Sequence, residues 1–386
     1  MGNQRIALSV PEIDESEAAA ARRVILSGWL TMGPEVAAFE NEFAGAVGSA
    51  HACAVSSGTT ALHLALQAAG VGPGDEVITV SHSFIATASA IRYCGAMPVF
   101  VDIDPVSFNI DPAQIEPLIT ERTRAILCVH QMGLPCDLAK IVPMARERKL
   151  PLIEDACCAA GSEILWEGNW EKIGRPHGDA ACFSFHPRKV LTTGDGGMIT
   201  TRHADWDRQF RLWRHHGMNV PAHDRHTAGN VVFENYDTLG YNYRMTDMQA
   251  AIGREQVRKL PDIVQRRRRL AARYGTLLAE VSGITIPVEP AWARSNWQSY
   301  CVRLSDNLDQ REVMQRLLEI GVATRRGVMC THREPAYPTG SWRSGGPLTA
   351  SELAQDRTIV LPLYPSLTDA EQDTVVAALR EVCGKK

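Results

Sequence analysis

Missing from this 386-residue sequence is any apolar run near the roughly 20 residues that cross a bilayer. Met1 to Glu15, with Asn3, Gln4, Arg5 and Ser9, also lacks the apolar stretch of an export signal, so the chain is expected to be its own mature form. Ile6 stands where a myristoylation pattern behind Gly2 would need Ser or Thr. Excess positive charge is missing too: 40 Lys+Arg against 44 Asp+Glu leave a net charge of −4, which provides no field for nucleic acid or an anionic membrane. Neither a Cys-x-x-Cys nor a His-Glu-x-x-His spacing occurs, so a metal site has no pattern to rest on, and there is no Asn-x-Ser/Thr acceptor. Ten cysteines in a chain of this length are too dilute for a disulfide framework and point to a reducing cytoplasm. Cys53, Cys94, Cys128, Cys182 and Cys301 lie in apolar stretches, where a thiol acts as a small hydrophobe. The adjacent Cys157 and Cys158 stand apart.

What is present is a chain long enough for two or three domains at about 150 residues each, with 45% apolar residues to fill their cores. Short apolar runs predict strands at Glu76 to Val80, Pro98 to Val101, Arg124 to Val129, Leu150 to Ile153, Ala180 to Phe185 and Gly197 to Thr201. Helical patterns fall between them at Thr59 to Ala69, Phe84 to Tyr93, Pro112 to Ile119 and Leu138 to Arg148. This alternation predicts an α/β fold on a mostly parallel sheet, with ligands gathered at the carboxyl ends of the strands. From Arg254 the pattern becomes one long helix, then loops, the strand Ser299 to Leu304, and a last strand and helix within Ile359 to Val382. The expected division is a large domain over 1–253, N-terminal segment included, and a smaller α+β domain over 254–386. Arg266 to Arg269 read as a solvated helix face rather than a nucleic-acid patch.

Three local features carry chemistry. Ser56-Ser57-Gly58-Thr59-Thr60 opens a helix, where free N–H groups and the helix dipole suit a phosphate and where the same residues suit a simple N-cap. No Gly-Lys-Ser/Thr follows, so this is not a nucleoside-triphosphate loop. Asp155, at the end of Leu152-Ile153-Glu154-Asp155, either caps a turn or pairs with a protonated ring nitrogen of a cofactor. Lys189 follows a buried strand and precedes Thr193-Gly194-Asp195-Gly196-Gly197. Most lysines are solvated charges, but one held away from water loses affinity for its proton and can condense with an aldehyde. Phosphate cradle, strand-end acid and strand-end lysine, in that order, are the requirements of pyridoxal 5′-phosphate (PLP).

Ser57-Gly58-Thr59-Thr60-Ala61-Leu62, Glu154-Asp155-Ala156, Ser184-Phe185-His186-Pro187-Arg188-Lys189, Thr193-Gly194-Asp195-Gly196-Gly197 and Gly240-Tyr241-Asn242-Tyr243-Arg244-Met245-Thr246-Asp247 together resemble the DegT/StrS family of PLP-dependent sugar aminotransferases. The resemblance runs over nearly the whole chain and implies the aspartate aminotransferase type I fold and a homodimer with active sites at the interface. It implies that Lys189 is the Schiff-base lysine and Asp155 the partner of the pyridine nitrogen. Gly58, Thr59 and Ser184 would then hold the phosphate, and Asn242 would reach it from the other subunit. Phe84 matches an aromatic that stacks on the pyridine ring; its alternative is plain helix core. His332 and Tyr241 are candidate substrate contacts. The family commonly has a glutamine where Cys158 stands, close to the cofactor's ring oxygen, and a thiol donates a hydrogen bond only weakly. The segment Ile164 to His177, with Trp166 and Trp170, would line the substrate mouth or form a surface hairpin.

The implied reaction is ping-pong transamination, with glutamate as amino donor and a nucleotide-linked keto-deoxysugar as acceptor. Two rivals remain at this point. One is a sugar dehydratase of the same family, in which a histidine replaces the lysine; the other is a non-catalytic PLP-binding regulator.

Overall fold

Alternating side chains along the central strands are buried on both faces, which only a sheet covered on each side permits. In Glu76–Val80, Ile78 and Val80 join one apolar cluster with Phe39 and Phe43, while Val77 joins a second with Leu62, Leu64 and Ile91. The computed structural model describes residues 5–220 and 229–384. Its strands β1 (His51–Val55), β2 (Glu76–Val80), β3 (Met97–Val101), β4 (Thr123–Val129), β5 (Leu152–Asp155), β8 (Ala180–Ser184) and β9 (Gly197–Thr201), with the short strand Arg343–Ser344, form one eight-stranded sheet. The order is β1-β9-β8-β5-β4-β2-β3, with Arg343–Ser344 last. β9 runs antiparallel to both β1 and β8, and every other pairing is parallel. The α/β fold with a mostly parallel sheet is therefore the one the sequence predicts.

Several expectations need correction. The helix expected over Pro112 to Ile119 is two 3₁₀ turns, Pro112–Gln114 and Glu116–Leu118. Pro117 lacks the N–H that an α-helix would use and crowds the preceding turn. The helix expected from Phe84 begins at Ala86 and leaves Phe84 outside it. The long helix begins at Asp247 rather than Arg254 and runs to Leu278, with Thr246 and Gln249 forming a capping box at its start. β1 and Arg343–Ser344 had no clear signal in the sequence. The segment Ile164 to His177 holds the hairpin β6 (Glu163–Trp166) and β7 (Asn169–Lys172), extended by Ala293–Arg294 into a three-stranded sheet. Arg294 lies 3.7 Å above the Trp170 ring, and none of this hairpin lines the cleft described below.

The C-terminal residues build an antiparallel sheet in the order Ile284–Thr285, Tyr300–Leu304, Thr358–Leu361, Arg325–Arg326. It packs on Leu270, Tyr274 and Leu278 of the long helix, and Ile6 from the N-terminal segment joins the same cluster. The long helix thus passes without interruption from the core of the large sheet to that of the small one. No helix among the described residues is long and apolar enough to cross a membrane, and all ten cysteines are free.

Candidate active site

At the carboxyl ends of β2, β4, β5 and β8 the chain encloses a cleft of about 400 Å³, walled on the far side by Arg325–Arg326 and by Val360 and Leu361. Parallel strands end together, so residues distant in sequence meet there.

The turn before the helix Gly58–Ala68 is an N-cap, one of its two readings. Ser57 caps the helix, its Oγ accepting from Thr60 N–H at 3.2 Å while Thr60 Oγ1 accepts from Ser57 N–H at 3.1 Å. This leaves the N–H groups of Gly58 and Thr59, both on the cleft wall, without a partner among the described residues. They sit at the positive end of the helix and form a seat for an anion. Ser184, the last residue of β8, lies beside them; a Cβ on Gly58 would come within 2.8 Å of Ser184 Cβ and of Cys157 Sγ. A Cβ on Gly197 would stand 2.4 Å from Ser57 O, so the glycine-rich turn after Lys189 packs directly against the anion seat.

Asp155 ends β5 with its carboxylate toward the cleft. Thr87 Oγ1 donates to Asp155 Oδ2 at 2.8 Å, and Ser83 Oγ, 2.7 Å from Thr87 Oγ1, donates to that hydroxyl in turn. Cys157 N–H donates to Asp155 Oδ1 at 3.2 Å. Both oxygens are thereby oriented. The neighbouring Glu154 faces the opposite side of the sheet, accepting from Gly178 N–H at 2.8 Å and from His130 Nε2 at 3.1 Å. His130 Nδ1 accepts from Cys136 N–H at 2.9 Å, which places the imidazole proton on Nε2.

Lys189 Nζ lies 3.1 Å from Cys158 Sγ. Burial alone would lower its proton affinity, as the sequence suggests, but the sulfurs of Cys158 and Cys157 and the Asp155 carboxylate outweigh it. The Lys189 amine is held above the usual lysine range. Phe84, 59% exposed, presents its ring on the cleft wall and is not helix core.

The remaining candidates lie outside this cleft. The Tyr241 ring stacks on Tyr243 at 4.7 Å, and its hydroxyl accepts from Gln67 Nε2 at 2.6 Å. His332 is tied by Nδ1 to Ser81 Oγ at 2.6 Å and by Nε2 to Glu352 at 3.0 Å. Asn242 is exposed, with its Oδ1 accepting from Arg244 Nε at 2.9 Å. Residues that sequence reasoning missed also line the cleft: Thr87, Gln298, Arg325, Arg326, and Leu8 and Ser9 from the N-terminal segment. Only Thr87 left a signal, since it stands one helical turn after Ser83 at a strand end.

A free N–H pair at a helix start, an exposed aromatic face, an oriented carboxylate and a primary amine sharing one cleft fit PLP, which carries a phosphate, a flat ring, a ring nitrogen and an aldehyde. Comparison with known proteins agrees. The profile of the DegT/DnrJ/EryC1/StrS aminotransferase family matches residues 11–380. The UDP-4-amino-4-deoxy-L-arabinose–oxoglutarate aminotransferase of Shewanella sediminis (strain HAW-EB3) is 35% identical over 396 residues, covering 100% of each chain. The crystal structure of S. venezuelae DesV, in complex with a ketimine intermediate, is 33% identical with a TM-score of 0.89 and covers 100% of each chain. The PLP form of Spr1654 from Streptococcus pneumoniae is 26% identical, with a TM-score of 0.89, over 98% of this chain and 99% of that one. The cleft has the groups the cofactor needs and the likeness spans the whole length: the chain belongs to the DegT/DnrJ/EryC1/StrS aminotransferase family and is a PLP-dependent transaminase.

Proposed function

We propose that this enzyme moves an amino group from glutamate to a keto group of a nucleotide-linked deoxysugar, working as a homodimer in the cytoplasm. The carrying observation is the convergence of Lys189, Asp155 and the free N–H groups of Gly58 and Thr59 on one cleft. When bound, PLP supplies an electron sink for the carbon that loses or gains the amine. Gly58, Thr59 and Ser184 bind its phosphate, Phe84 offers a flat apolar face to its ring, and Asp155 keeps a proton on its ring nitrogen. Lys189 is the base that takes a proton from the substrate carbon and returns it.

Acceptor and donor rest on charge and on likeness. Arg188, Arg325 and Arg326 place positive charge around the cleft, which suits an anionic substrate. The name of the Shewanella relative couples a UDP-sugar with oxoglutarate, the keto acid that glutamate leaves behind. Lys189 stands where a dehydratase of the family would carry histidine, which disfavours that rival; a complete lysine and aspartate pair disfavours a non-catalytic regulator.

Dimerisation is supported by what lies outside the cleft. Val231, Phe233 and Leu239 are 81%, 85% and 92% exposed, an apolar stretch leading up to the exposed Asn242. A second copy covering this stretch would also lie against Asn242, as the proposed sharing of the phosphate requires.

The test is to incubate purified enzyme with glutamate and a panel of nucleotide-linked keto sugars, following oxoglutarate release and amino-sugar mass. Turnover with at least one member is expected. Oxoglutarate release without any aminated sugar would overturn the acceptor, and no release at all would overturn the donor.

A further inference from the structure

Two sulfurs adjacent in sequence point to different parts of the cleft. Cys157 Sγ packs where a side chain on Gly58 would go, against the anion seat. Cys158 Sγ stands 3.1 Å from Lys189 Nζ. The turn that carries Cys158 is clamped from outside: the buried Asn296 donates through Nδ2 to Cys158 O at 2.8 Å and to Ala160 O at 2.9 Å. The backbone that carries the sulfur is thereby fixed, and only rotation about the Cys158 Cα–Cβ bond changes its distance from the amine.

The geometry points to Cys158 as a positioning residue for Lys189, its sulfur holding the amine in the ammonium form until the cofactor enters the cleft. The glutamine that the resemblance places here offers an amide oxygen and N–H groups but no form that carries a negative charge. A sulfur offers lone pairs and, when its proton has passed to the amine, a negative charge. Only one proton moves, from sulfur to nitrogen or back. Of the other charged groups around the cleft, Asp155 and Asp195 favour the ammonium, while Arg188, Arg325 and Arg326 oppose it; burial pushes the Cys157 thiol up and the His186 imidazole down, toward their neutral forms. Cys158 is the group within hydrogen-bond distance of Nζ among the described residues.

A group whose proton affinity is raised by a partner loses that increment when the partner is removed, so the free amine of the variant appears at lower pH. This inference rests on Lys189 being the reactive amine of the proposed function, yet its test needs neither cofactor nor sugar. Cofactor-free protein is treated with formaldehyde and an amine–borane reductant between pH 6 and 10, and methylation of Lys189 is followed by peptide mass spectrometry. Cys158→Ser and Cys158→Gln are expected to move the profile to lower pH, with Lys189 methylated at least about threefold faster at pH 8, since one pH unit is tenfold in free amine. Cys158→Asp, which restores a negative neighbour, is expected to return the profile to the wild-type position or beyond it. Should the variants fail to fold, capping Cys158 of the wild-type protein as its methyl disulfide must give the same displacement. A Cys158→Ser or capped profile that superimposes on the wild type overturns the assignment, whatever the enzyme's substrate proves to be.

Discussion

Glu154 and Asp155 are consecutive acids on one strand with their carboxylates on opposite faces of the sheet: Glu154 is locked to His130 at 3.1 Å, and Asp155 receives the Thr87 hydroxyl at 2.8 Å at the cleft. The period of two along a strand separates a structural acid from a chemical one without any difference in side-chain type. It also makes the roles of cleft residues separable by experiment.

Lys189→Ala is expected to lower kcat at least about a thousandfold, the scale of losing a positioned base together with its covalent role. The melting temperature is expected to stay within a few degrees of wild type, because the side chain is only partly buried and, among the described residues, its amine makes a single hydrogen bond, to Cys158. Activity assays beside thermal denaturation check both halves, and wild-type turnover would remove Lys189 from the chemistry.

Asp155→Asn is expected to bind PLP yet lose most single-turnover activity with glutamate, since a neutral amide no longer favours a protonated ring nitrogen. Thr87→Val removes one hydrogen bond to that carboxylate and is expected to cost about 10- to 100-fold, in line with about 1.5–3 kcal/mol for a bond to a charged group. Stopped-flow absorbance separates the two, and a Thr87→Val loss equal to that of Asp155→Asn would show Thr87 touching substrate instead.

Mixing Lys189→Ala chains with Asn242→Ala chains tests whether the site is shared. If Asn242 serves its neighbour's phosphate, one site of each heterodimer carries both lesions and the other is whole, so activity is expected to rise above either parent. Verified heterodimers with no recovery, from a strongly impaired Asn242→Ala parent, would place the two residues in the same site of the same chain.

Behind β1, the buried Glu40 accepts from Arg214 and, at 2.6 Å, from Arg211. Burial opposes its charge, but the two guanidiniums prevail and hold the carboxyl below the usual range. A depressed carboxylate contributes stability that is present above its unfolded value near 4.3 and is lost as pH falls through its folded value. Glu40→Gln is expected to cost roughly 3–5 kcal/mol at pH 7, because the buried Arg214 loses this carboxylate while Arg211 keeps Asp207, with the difference from wild type shrinking at acid pH. Urea titrations from pH 7 to pH 3 measure it; a pH-independent difference would contradict the ion-pair account.

Much of this protein was legible in its sequence because the signals are local. Strand and helix alternate with the periods that burial on two faces demands, and small residues around Gly58 and Gly197 mark backbone that must approach backbone. Asp155 and Lys189 could be chosen because each stands at a strand end, where a parallel sheet presents its residues. Local rules also set their own limit: a pattern that read as helix over Pro112 to Ile119 broke at Pro117 into two 3₁₀ turns.

What only the tertiary structure decided depends on distances between remote segments. No spacing in the sequence says that Thr87 meets Asp155, that Arg325 and Arg326 of the small sheet line the same cleft as Lys189, or that Leu8 and Ser9 line it too. Tyr241 and His332 sit in plausible motifs, yet packing turns one onto Tyr243 and Gln67 and ties the other to Ser81 and Glu352. Sequence also predicted a Lys189 that sheds its proton on burial. The fold reversed this by bringing Cys158, 31 positions earlier, to 3.1 Å, because Coulomb and hydrogen-bond terms depend on separation in space and the chain records only separation along itself.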